Sequence, residues 1–156
     1  MPRPEKKRIV NNPPLYTEFK PLGVGGQFLE KVQLSLDEYE AFRLADQLGM
    51  AHAEASEEME ISRSTFTRLI EKSRKKIADF IINGKMLLID GGNVHFRKNI
   101  IHCLECGYKF ITDFKTTFDK CPECDSKNLV SLAGGFGHGK CYANRHGHKG
   151  DSNAEI

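Results

Sequence analysis

A chain of 156 residues, 39% hydrophobic and 28% charged, carries enough apolar material for one ordinary domain or two small ones. No apolar run approaches the ~20 residues that cross a bilayer, and the basic N-terminus, Met-Pro-Arg-Pro-Glu-Lys-Lys-Arg, leads into no apolar signal region. The sequence therefore predicts a cytoplasmic protein without a membrane partner, in which five cysteines point to metal before disulfides.

The net charge of +2 says less than its distribution. Residues 35–60 carry one Arg against eight acids, whereas residues 61–76 carry six Lys/Arg against one acid. That polarity suits a DNA-facing helix beside a solvent-facing one, although a merely solvated basic face would read the same way.

Residues 1–31 hold Pro2, Pro4, Pro13, Pro14 and Pro21 and the run Gly23-Val-Gly-Gly26, which predict an irregular arm without a long helix. Regular structure is expected from Ser35-Leu-Asp-Glu38, where Ser35 and Glu38 can cap each other's amides. Ala41, Leu44, Ala45 and Leu48 then follow i, i+3, i+4, i+7 as one apolar stripe, and Gly49 ends the helix. A short second helix is expected over residues 52–59. A third starts after Ser62 and runs to about Ile82, with Phe66, Leu69, Ile70, Ser73, Ile77, Phe80 and Ile81 on one face and Asn83-Gly84 as its stop. Residues 85–90 and 94–97 flank Gly91-Gly92-Asn93 and read as a hairpin.

A helix-turn-helix needs two helices held at a steep angle by small and apolar side chains. Ala55, Met59, Ile61, Phe66 and Leu69 supply the inward set, with Ser56 small at the closest approach and Ser62 as the cap of the recognition helix. Ser62, Arg63, Ser64, Thr67 and Arg68 are the candidates for the DNA surface, arginine suiting guanine O6/N7. Lys72, Arg74, Lys75 and Lys76 are candidates for phosphates, though not all can face one duplex together. Glu60 occupies the turn position often taken by glycine, which implies a strained φ or a shifted turn. A plain helical hairpin is the alternative this pattern leaves open. One such motif covers few base pairs, so a homodimer on paired half-sites of double-stranded DNA is the natural extension.

Beyond the hairpin, Cys103, Cys106, Cys121 and Cys124 form two Cys-x-x-Cys clasps separated by fourteen residues. Two such turns complete a tetrahedral S4 shell, with Zn2+ favoured over iron because a closed site on a short ribbon serves folding. Strands are expected near residues 108–110 and 129–132, and Lys109 and Lys120 can offset the charge of the thiolates. His95 and His102 read as strand surface residues. His138, Cys141, His146 and His148 lie in a Gly/His-rich tail whose spacing fits no closed ligand set. The expected architecture is a mainly α helix-turn-helix domain with a trailing hairpin (residues 32–98), a small β zinc ribbon (99–132) and a flexible tail (133–156). No nucleophile–base–orienter set, phosphate loop or carboxylate pair emerges, so neither an enzyme nor a small-molecule substrate is expected.

Met1-Pro-Arg-Pro, Phe19-Lys-Pro-Leu-Gly23, Leu36-Asp-Glu-Tyr-Glu-Ala-Phe-Arg-Leu-Ala-Asp46, Ser62-Arg-Ser-Thr-Phe66, Ala78 and Gly84-Lys85 together resemble domain-of-unknown-function family 134. These are small prokaryotic proteins generally described as predicted DNA-binding proteins, and the resemblance spans roughly residues 1–92. It implies a helix-turn-helix similar to that of sigma-factor region 4, with Glu60 in place of the family's usual turn glycine, and it brings no ligand or reaction. The ribbon is similar to short rubredoxin-like zinc ribbons, but rubredoxin clasps lie farther apart, so the electron-carrier role does not carry over. The expected function is a transcription regulator that binds DNA. The competing one is a metal-binding or redox module, or a metal-sensing adaptor, that docks a protein partner.

Overall fold

A computed structural model of the chain describes residues 7–136. They divide into two units: one contains residues 7–9 and Tyr16–Val94, the other Val10–Leu15 and residues 95–136. The elements run β1 (Arg8–Val10), β2 (Glu18–Phe19), β3 (Lys31–Leu34), α1 (Leu36–Phe42), α2 (His52–Glu58), α3 (Arg63–Ile82), β4 (Met86–Ile89), β5 (Val94–Phe96), β6 (Asn99–Cys103), β7 (Lys109–Thr112) and β8 (Leu129–Ser131). Three helices and three small sheets make this a mixed α/β structure, not the mainly helical one expected.

The proline-rich arm supplies part of that difference, because it contributes β1 and β2 and leads into β3. The central strand of the first unit is β4, with the sheet order β2-β4-β3. β2 pairs antiparallel with β4, Phe19 opposite Leu87, and β3 pairs parallel with it, Leu34 opposite Ile89. Parallel neighbours require a long crossover, and here that crossover is the entire helical block from α1 to α3. The expected hairpin does not form: β4 lies between β2 and β3, whereas β5 pairs with β1. Gly91 and Gly92 do turn with positive φ of 83° and 97°, as their chemistry invites. The turn serves α1 instead. The Gly91 carbonyl accepts the Leu36 amide at 2.9 Å, and a Cβ on Gly92 would stand 2.9 Å from Asp37 Oδ1.

α1 opens with the expected capping box, since Ser35 Oγ accepts the Glu38 amide and Glu38 Oε1 accepts the Ser35 amide. At Arg43 the helix loosens into a π-helical turn through Gln47. The extra residue per turn rotates the remainder of the helix, so Ala41 and Leu44 are buried but Leu48 is 51% exposed, contrary to the expected stripe. Gly49 then leaves the helix at φ 69°. Ala41, Leu44, Ala55, Met59, Phe66, Leu69 and Ile70 form the core of this unit, with Ile61 packed against them. α3 is capped by Ser62, whose Oγ accepts the Thr65 amide, and stops at Gly84, φ 61°. Its last turn outruns its packing: Ile77 and Phe80 are half-buried, and Ile81, expected inward, is 65% exposed.

α2 ends in a Schellman motif. The Glu60 amide reaches the Glu57 carbonyl at 3.1 Å and the Ile61 amide reaches Ser56 at 3.0 Å. Glu60 holds the left-handed position at φ 55°, the strained option its place in the sequence allowed. Ser56 is buried, its hydroxyl donating to the Ala53 carbonyl.

In the second unit β6 is central, flanked antiparallel by β7 and β8. Asn99 locks its start: Nδ2 donates to Ser131 Oγ at 2.7 Å, and Oδ1 accepts the amides of Ile100 and Ala133. The ribbon continues past residue 133 into a 3-10 turn at Gly134–Phe136, whose ring meets Phe96. His138, Cys141, His146 and His148 lie outside the described residues.

Because a left-handed φ is costly for a residue with a Cβ, Glu60→Gly should raise the stability of the helical unit by up to about 1 kcal/mol. Thermal melts of the two proteins check this, and an unchanged or lower midpoint would show the motif is not strained at that position.

Candidate metal centre and candidate nucleic-acid interface

The four cysteines converge. Their sulfurs all lie within 4.8 Å of one another, and across the clasps Cys103–Cys124 stand at 3.6 Å and Cys106–Cys121 at 3.7 Å. A disulfide would need about 2.05 Å, whereas four sulfurs tetrahedral about one ion at Zn–S ≈ 2.3 Å stand about 3.8 Å apart. The residues therefore fit one tetrathiolate-bound metal ion.

The clasps are built alike. Gly107 and Asp125, each just after the second cysteine of its clasp, have φ of 80° and 61°. Their amides return to the carbonyls of Cys103 and Cys121 at 3.0 and 2.9 Å, and the amides of those two cysteines reach Tyr108 and Ser126. This winding aims backbone N–H groups at sulfur. The Cys106 and Glu105 amides point at Cys103, Tyr108 at Cys106, Glu123 at Cys121 and Ser126 at Cys124. At Cys103 the Cys106 amide leads in drawing the thiol down to about 7. At Cys124 the Ser126 amide lowers the thiol, but burial and the neighbouring sulfurs outweigh it and push it up to about 12. The backbone N–H groups favour thiolate, and four sulfurs this close repel one another when charged, a repulsion that a cation relieves. Cys103 and Cys121 are fully buried with Ile101 and Leu129, sealed by Phe110 and Phe118, whose rings meet edge-on at 4.8 Å.

Lys120 pairs with Asp125 at 3.5 Å, and Lys109 reaches the Leu15 carbonyl at 3.3 Å. His102 lies on β6 with its pKa lowered by burial and by the charge of Lys109, and His95 lies on β5; neither belongs to the sulfur cluster.

The second candidate site is α3. Phe66, Leu69, Ile70 and Ser73 are buried, so Ser64, Arg68, Lys72 and Lys75 fall on the opposite, exposed side, and Arg63 projects from the first turn. Glu71 stands exposed among them. Among the described residues none of these four cations has an ion pair. The other two basic residues differ. Arg74 forks onto Asp46 at 2.8 and 3.0 Å, and its hydrogen bonds hold that carboxyl below its ordinary range. Lys76 is tied to Glu38 Oε1 at 2.6 Å and to the Gln33 carbonyl at 2.8 Å. Thr67 is half-buried, its hydroxyl 2.9 Å from His52 Nδ1, and Ser62 is occupied with Thr65. Sequence reasoning missed the partner roles of His52, Asp46 and Glu38, each of which lies at least fifteen residues from the group it holds.

The family described as "Protein of unknown function DUF134" matches residues 1–97. A UPF0251 protein of Chloroherpeton thalassium is 46% identical over 132 residues, covering 85% of this chain and 87% of its own. One from Chlorobaculum tepidum is 39% identical over 145 residues, 90% and 74% of the two chains. Another, from Caldicellulosiruptor saccharolyticus, is 38% identical over 149 residues, covering 96% of this chain and all of its own. No solved structure matches. Among the described residues, no helix is long and apolar enough to cross a membrane.

If the metal supplies most of the ribbon's folding energy, chelation or Cys121→Ser should strip amide-exchange protection from β6, β7 and β8 while α3 keeps its own. Loss of protection in both regions together would make the ribbon part of a single core. Protection unchanged in both would mean that the cysteines hold no structural metal.

Proposed function

The chain belongs to the DUF134 family, and on that footing we propose that α2, its Schellman turn and α3 act as a helix-turn-helix that binds double-stranded DNA. The observation that carries this reading is the sorting of charge on α3. Arg74 and Lys76 are consumed by acids of the same unit, whereas Arg63, Arg68, Lys72 and Lys75 stand exposed without ion pairs among the described residues. Arg63, Ser64 and Arg68 on the first two turns would approach base edges in the major groove, and Lys72 and Lys75 would track the phosphates. Lys76 leaves the phosphate set because Glu38 holds it. Thr67 orients through His52, and Ser62 caps the helix. The activity is that of a cytoplasmic, non-enzymatic transcription regulator, binding paired half-sites as a homodimer. The Cys103, Cys106, Cys121 and Cys124 centre holds Zn2+ as a structural ion.

A second reading rests on the tetrathiolate itself, which also accepts iron. In it the ribbon is a redox or metal-sensing module and the helices dock a protein partner. A visible iron absorption with a reversible one-electron wave separates it from a colourless zinc protein.

Titration against genomic duplex fragments at several salt concentrations tests the leading reading, and binding that is absent at low salt or indifferent to salt sinks it. Arg63→Ala and Arg68→Ala should each cost on the order of 1–3 kcal/mol and relax sequence preference if they make bidentate base contacts. Lys75→Ala should weaken all sequences alike. An equal, small effect from all three would indicate phosphate attraction alone.

A further inference from the structure

The proline-rich arm delivers one cation to α3. β1 is pinned by its backbone, the Arg8 amide on the Asn93 carbonyl at 2.9 Å and the Ile9 amide on the Met59 carbonyl at 3.1 Å. The Arg8 guanidinium is held by Asp37 Oδ2 at 2.5 Å, in the first turn of α1. So fixed, Arg8 forms one wall of a cleft of about 300 Å³ on the flank of α3, whose other walls are Thr65, Arg68, Leu69 and Lys72. Arg68 and Lys72 stand one turn apart on α3, and Arg8 comes from a separate element. Among the described residues Asp37 is the one acid ion-paired with this set, and it offsets one cation of three. The surplus suits a single phosphate group, with Arg8 offering directional N–H donors and Lys72 a point charge.

We propose that this cleft seats one phosphate of the DNA backbone and that Arg8 is the residue that anchors it there. The inference rests on the DNA-binding reading above. Arg8 carries no base information. It is a positioning contact, preorganised by Asp37 so that little side-chain entropy is lost when the phosphate arrives.

The test compares wild type, Arg8→Gln and Arg8→Lys by duplex titration from low to physiological salt, with circular dichroism on each variant. Arg8→Gln should lower the slope of log K against log salt by about 0.9 and weaken specific and scrambled duplexes by the same factor. Arg8→Lys should restore the slope. In wild-type protein, the Arg8 Nε–H resonance should shift when duplex is added; one that stays in place overturns the proposal even where Arg8→Gln fails to fold. Duplex binding with an unchanged slope in Arg8→Gln removes the phosphate cleft and leaves the DNA-binding reading intact. Loss of sequence preference in Arg8→Gln also overturns it, because a phosphate contact cannot supply preference. No duplex binding by any of the three, with inorganic pyrophosphate shifting the Arg8 resonance, makes this a free-phosphate site and removes both readings. Indifference to both ligands removes both as well.

Discussion

The carboxylate of Glu38 holds three donors on one oxygen: the amide and hydroxyl of Ser35 and the ammonium of Lys76. Its backbone carbonyl takes a fourth, the buried hydroxyl of Ser73. The first two start α1; the other two clamp α1 to α3 at positions three residues apart on the same helix face. A residue only 2% exposed is an expensive place for a charge, and breaking such a pair costs up to about 3–5 kcal/mol. What the arrangement secures is rotation. With Ser73 and Lys76 engaged, α3 cannot turn about its axis, so Phe66 and Ile70 stay in the core and the basic residues opposite them keep one bearing.

Two further ion pairs in this unit join separate elements. Arg8 with Asp37 ties β1 to α1, and Arg74 with Asp46 ties α3 to the π-helical turn. The Arg74 pair is solvent-exposed and adds little stability on its own. Its effect is on the charge pattern: by pairing off the side of α3 near Asp46, it confines uncompensated positive charge to the outward face.

Legibility in the sequence tracked the range of the interaction. The Ser35/Glu38 box, the Ser62 cap, the Gly84 stop and both cysteine clasps are contained within a few residues, and all were readable from composition and spacing. Glu60 was readable as a strain for the same reason. β2 and β3 were not, because their partner β4 lies more than fifty residues on and nothing in a proline-spaced segment announces it. The glycines at 91 and 92 misled in an instructive way: they encode a turn, but a turn does not say that its flanks pair. Leu48 and Ile81 depart from the expected stripes because the 3.6-residue period breaks at a π-helical turn in one case and runs beyond the packed layer in the other. At the candidate DNA face, exposure of Arg63, Arg68 and Lys75 was legible from periodicity, while the capture of Lys76 and Thr67 depended on partners no pattern names.

The sheet order β2-β4-β3 also sets an order of events during synthesis. Among the described residues both outer strands have β4 as their only sheet neighbour, so neither can pair until residue 89 has left the ribosome. The helices emerge before β4 and rely on short-range contacts, so α1, α2 and α3 are able to collapse first. Until then β2 and β3 wait as bare edges in the nascent chain, with Phe19 and Val32 among the side chains they present. The prolines and lysines that break up the arm thus guard the interval before the last strand arrives.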